Sequence, residues 1–123
     1  MIEHLGEYIQ QLISKKVSPV FVGDLPSLST EGVAIILMDG EVNTAYFGMQ
    51  NTVYYPVVTI AIRTAEYAVG SKYCETIREL LHEHTSEKVL GIVQQNAVMY
   101  LGRNEQKLCE FQLTFKIIVE EGL

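Results

Sequence analysis

Residues Lys107 to Val119 read KLCEFQLTFKIIV. Cys109, Phe111, Leu113, Phe115, Ile117 and Val119 fall at every second position, with Glu110, Gln112, Thr114 and Lys116 between them. A period of two over that length predicts one long β-strand with one face in a core and a polar face toward water or a partner. The remaining elements are placed by reference to this strand.

Upstream of it, Ala97–Leu101 is extended, and the polar turn Gly102–Gln106 folds it back as an antiparallel hairpin. Val89–Val93 precedes it, and the two segments read as separate strands or as one bent strand broken at Gln94-Gln95-Asn96. A helix is expected over residues 66–84, where Tyr67, Gly70, Tyr73, Cys74, Ile77, Leu80, Leu81 and His84 follow the helical step. Gly70-Ser71 is either an interior packing contact or the N-cap of that helix. Val57–Arg63 is a strand, apolar on both faces and therefore central. Val33–Met38 is a short apolar run with the length of a strand buried on both sides. Val20-Phe21-Val22 is a short edge strand. Residues 2–16 form an amphipathic helix with Ile2, Leu5, Ile9, Leu12 and Ile13 on one stripe, stopped by Pro19.

The predicted order is thus helix, strand(s), loop, strand, helix, strand, strand. It implies an α+β layer fold, with two helices on one face of a largely antiparallel sheet of four to five strands. At 123 residues, 48% of them hydrophobic, the chain is expected to form a single domain over 1–123. No run approaches the ~20 apolar residues that a membrane-spanning helix needs. The opening MIEHLGEYIQ has no basic region followed by an apolar block, so no signal peptide is expected.

Asp39-Gly40 would suit a tight turn, but the residues after it show no matching strand. The stretch 40–56, GEVNTAYFGMQNTVYYP, fits no period and is expected to be a loop. It is either an ordinary hairpin extension or an arm that orders on contact with another subunit. Its Tyr46, Phe47, Met49, Tyr54 and Tyr55 are residue types enriched in interface cores. With the polar strand set Glu110, Gln112, Thr114 and Lys116 they are the candidate contact residues.

No motif in the chain carries catalytic or metal chemistry. His82 and His84, two positions apart on a helix, point about 200° from each other and cannot share an ion. They are expected at a solvated helix end. Cys74 and Cys109 form no CxxC or Cys/His cluster and read as small buried hydrophobes. The glycines form neither GxGxxG nor GxxxxGK[ST], so no phosphate cradle is expected. No cofactor is implied. The formal net charge of −6 disfavours tight binding to a phosphate backbone.

The patterns together resemble those of the small minor capsid and tail-terminator (tail-completion, head–tail joining) proteins of long-tailed bacteriophages and prophages. The resemblance runs over most of the chain. It rests on the opening helix followed by Val20–Pro26, on Tyr55-Pro56 leading into Val57–Arg63, and on the helix with Tyr67, Ile77, Leu80 and Leu81. It rests also on Tyr100–Glu105 opening the hairpin into Glu110–Phe115. It implies a non-enzymatic virion protein at the head–tail junction, made in the bacterial host cytoplasm. Such subunits assemble as rings, commonly hexameric, that stop growth of the tail tube and join the tail to the head connector. DNA would pass through the lumen, which an acidic surface suits. Expected partners are then other copies of the chain, tail-tube protein and head-connector proteins, with no membrane and no small-molecule substrate. Two other readings stand beside it. One is a small ligand-binding or enzymatic domain with the 40–56 loop as a lid. The other is a dimeric adaptor or regulatory protein that pairs through the edge of the C-terminal strand.

Overall fold

A computed structural model of the chain describes residues 2–23, 25–27, 30–43, 53–82, 84–85 and 89–120. The order of elements is α1 (Ile2–Ile13), β1 (Val20–Val22), β2 (Gly32–Asn43), β3 (Val53–Thr64), α2 (Tyr67–Leu81), β4 (Val89–Gln94), β5 (Met99–Arg103) and β6 (Cys109–Glu120). The fold is α+β, and both helices pack with a mostly antiparallel sheet. Among the described residues the sheet has six strands rather than four to five, because β1 adds in parallel at one edge and β4 and β5 are distinct strands.

Strand β6 is interior. Along one side it pairs with β3, from Cys109 opposite Thr64 to Glu120 opposite Val53. Along the other side it pairs first with β5 and then with β4. The Gln95 N–H donates to the Thr114 carbonyl at 2.9 Å, so β4 and β5 run along β6 as one broken strand. This corrects the adaptor reading. The C-terminal strand has partners on both sides and no edge to offer, because β3 lies along one side and β5 and β4 along the other.

The period of two sets the core. Cys109, Phe111, Leu113, Phe115, Ile117 and Val119 are all buried, while the residues between them are half-buried. Val58, Ile60 and Ile62 of β3 and Val33 and Ile35 of β2 continue the same face. Leu5, Ile9 and Ile13 of α1 and Cys74, Ile77 and Leu81 of α2 close it from above. At about 25 cal/mol per Å² of apolar area, burial of each large side chain contributes roughly 1.5–3 kcal/mol.

Gly70 lies inside α2, and the helix starts before it at Tyr67. A Cβ there would stand 2.2 Å from Phe111 Cε1 and 2.6 Å from Thr64 Oγ1. The glycine is therefore the packing contact and not the cap. It lets the first turn of α2 settle onto Phe111.

Three expectations change. Asp39-Gly40 is not a turn, and the stretch 40–56 is strand at both ends. The β2–β3 register slips by one residue between Met38 and Glu41, opposite Pro56. Proline has no N–H to give the ladder, and a bulge is the usual way to place one inside a sheet. Helix α2 stops at Leu81, three residues earlier than expected. His84 lies beyond it, half-buried, with its Nε2 2.7 Å from the Tyr8 hydroxyl. It ties the end of α2 to α1 and is not on a solvated helix end. The β5–β6 connection spans residues 104–108 in place of Gly102–Gln106. Asn104 Oδ1 accepts from Gln106 N–H at 2.8 Å and Leu108 N–H at 3.1 Å, and Lys107 takes the left-handed conformation at φ 64°.

Candidate functional site

Among the described residues, the two-layer packing leaves one face of the sheet without a helix. Glu110, Gln112, Thr114 and Lys116 lie there, half-buried, opposite Arg63, Ala61, Thr59 and Val57 of β3. Arg63 Nε donates to Glu110 Oε2 at 3.1 Å, and Nη2 is 3.0 Å from the same oxygen. Arg63 Nη1 also donates to the carbonyls of Ser27 and Thr30. Glu110 is thus occupied within the chain, holding through Arg63 the segment that leads into β2. At the other end of the face, Lys116 Nζ stands 5.7 Å above the Tyr55 ring, a cation–π contact. The structure therefore brings two of the candidate contact residues together. Between these ends lie uncharged residues, Thr59, Ala61, Gln112 and Thr114, each half-buried. Tyr46, Phe47 and Met49 lie outside the described residues. Tyr54 lies on β3, paired with Val42 and Val119.

A second feature has no counterpart among the sequence expectations. Beside β5 the Tyr67, Tyr100 and Phe111 rings meet with centroids 5.0–5.2 Å apart. Tyr67 and Tyr100 are edge-on to one another, the favoured geometry for such pairs. These rings, with Ser71, Cys74, Glu75, Arg78 and Val98, line a cleft of about 340 Å³. The Tyr100 phenol is held above its ordinary pKa, first by its hydrogen bond with the Cys109 thiol. Burial pushes the Cys74 thiol up to about 12, so it stays protonated at neutral pH and is no nucleophile there. The signal in the sequence is the unalternating run Val98-Met99-Tyr100-Leu101, whose lack of a polar face sets it apart from an ordinary hairpin limb.

The arrangement offers surface and shape more than reactive groups. Among the described residues no three His, Cys, Asp or Glu side chains converge as a metal site would require. A family model for the bacteriophage tail terminator protein matches residues 5–121. The chain belongs to the bacteriophage tail terminator family. As a member it is a structural protein of the phage tail, located in the virion. Among solved structures, a chain of the virion of a native gene transfer agent particle is similar in fold. The TM-score is 0.53 at 15% identity, covering 91% of this chain and 84% of that one. No protein of curated function matches the sequence. The terminator family is thus the source of the functional reading, and the fold is shared across very different sequences.

Proposed function

We propose that this tail terminator is a non-enzymatic subunit of a closed ring, hexameric in the form its family resemblance implies. The ring ends the growing tail tube and joins the tail to the head. The observation that carries this reading is the family match over residues 5–121. The structure supports it by what it leaves open. A heterologous ring needs two different surfaces on each subunit. The helix-free sheet face with Tyr55, Gln112, Thr114 and Lys116 is one candidate, and the segment with Tyr46, Phe47 and Met49 contributes to the other. The partners are further copies of the chain, tail-tube protein and head-connector proteins. DNA passes the acidic ring without specific binding.

Electron microscopy of the purified protein, alone and with tail-tube protein, tests the ring. The expected image is a closed ring of uniform subunit number, alone or capping tubes of fixed length. A strict monomer by light scattering, with tubes that lengthen unchecked in its presence, would overturn the proposal.

A further inference from the structure

Gly32, Arg63, Glu110 and Gly102 stand in one row across β2, β3, β6 and β5, so four strands have an end on the same side of the molecule. Four charged side chains tie those ends together. Arg63 donates to Glu110 at the start of β6 and to the carbonyls of Ser27 and Thr30 ahead of β2. Glu31, just before β2, accepts from the Ala65 N–H at 2.6 Å. Arg103, the last residue of β5, donates through Nη1 to the Lys107 carbonyl at 2.6 Å and to the Ala65 carbonyl at 3.3 Å. Each of these bonds has an ionised partner, which makes it stronger than a neutral one.

The ties meet at Ala65. Only Ala65 and Glu66 separate β3 from α2. This short joint is held from both flanks of the sheet, its N–H by Glu31 on the β2 side and its carbonyl by Arg103 on the β5 side. From the core, the buried Thr64 donates its hydroxyl to the Glu66 carbonyl at 2.8 Å. Glu66 is the N-cap residue and makes no side-chain bond to the helix. The first turn of α2 therefore takes its position from these ties and from the seat of Gly70 on Phe111. That turn carries Tyr67, whose ring stands edge-on to Tyr100 of β5 at 5.0 Å. A lone exposed tie of this kind holds little. Ties that share one joint act together, because freeing the joint on one side loosens it for the other.

We infer that the Ala65–Glu66 joint couples the two flanks of the subunit. A shift of the segment ahead of β2 passes through the joint to Tyr67 and Tyr100, and a shift at β5 passes back. The flanks are well separated, with β3 and β6 between β2 and β5. The use of this coupling rests on the ring reading, in which opposite flanks meet different neighbours. Capture of one neighbour then sets the flank that takes the next.

The test follows the Tyr100 ring signals by NMR in the full chain, assigned with Tyr100→Phe. Glu31→Ala removes a tie on the far flank. It should shift the Tyr100 signals in the direction that Arg103→Gln shifts them, and by a comparable amount. Glu31→Gln keeps an oxygen for the Ala65 N–H and should shift them less. Glu79→Ala, which removes an exposed glutamate of α2 outside the ties, should leave them in place. In the double variant Glu31→Ala with Arg103→Gln, the shift should fall short of the sum of the two single shifts. Tyr100 signals unmoved by Glu31→Ala, in a chain whose melting curve shows it folded, overturn the inference and leave the ring standing. Single shifts that add in full overturn it as well. A wild-type chain that stays monomeric with and without tube protein overturns the ring reading and not the coupling, which Tyr100 reports in the single subunit.

Discussion

Gly70 shows how one residue sets the site. Alanine is the better helix former by about 1 kcal/mol, so propensity alone would favour Gly70→Ala. The space decides otherwise. The added Cβ would overlap Phe111 and Thr64, and Phe111 cannot swing away, since it is 2% exposed and wedged against Tyr67 and Tyr100. Overpacking of this kind costs typically 1–3 kcal/mol, with more where backbone must shift. Gly70→Ala is therefore expected to lower stability by up to ~2 kcal/mol net in urea unfolding. An unchanged or raised midpoint would mean that α2 does not sit on Phe111 as described. The sequence alone leaves Gly70 open between packing and capping, because the deciding atoms belong to a strand forty residues away. The same is true of His84, whose partner Tyr8 is in the first helix.

At the scale of elements, legibility follows periodicity. β6 and α1 have clean periods and are readable, down to which side of β6 is buried. β2 and β3 read too short because Asp39-Gly40 and Pro56 look like breakers, and the bulge that reconciles them is a property of the pair. The 104–108 turn is hard to place because Asn104, whose side chain organises it, sits among other polar residues. Strand neighbours cannot be read from any one strand, so the central place of β6 and the bare edge of β5 emerge only in the sheet. Hydrogen exchange should follow this topology. Amides of β6 and its partner β3, held inside the sheet, should exchange slowest, at rates near the global unfolding limit. Amides of β5, paired on one side and exposed on both faces, should exchange orders of magnitude faster in the isolated subunit. Protection of β5 equal to that of β6 in the monomer would show that its edge is already covered.

At the scale of the whole molecule, two long-range effects oppose each other when copies meet. Each chain carries a formal charge of −6, so subunits brought side by side repel. A contact made through the exposed apolar residues Val98, Met99, Tyr100 and Leu101 would gain from being taken out of water. The repulsion acts between exposed charges and is screened over about 10 Å at 0.1 M salt and about 3 Å at 1 M, whereas the apolar contact is not weakened by screening. Raising the ionic strength from low salt to about 0.5 M should therefore strengthen self-association. The opposite sign is expected for any interaction with DNA, where affinity falls steeply with salt. The two can be read side by side, by light scattering of the protein alone and by its retention of labelled duplex DNA. Assembly that dissolves as salt rises would mean that ion pairs hold the copies together. In that case charged groups such as Lys116 on the helix-free face, and not the apolar residues of β5, would carry the contact between copies.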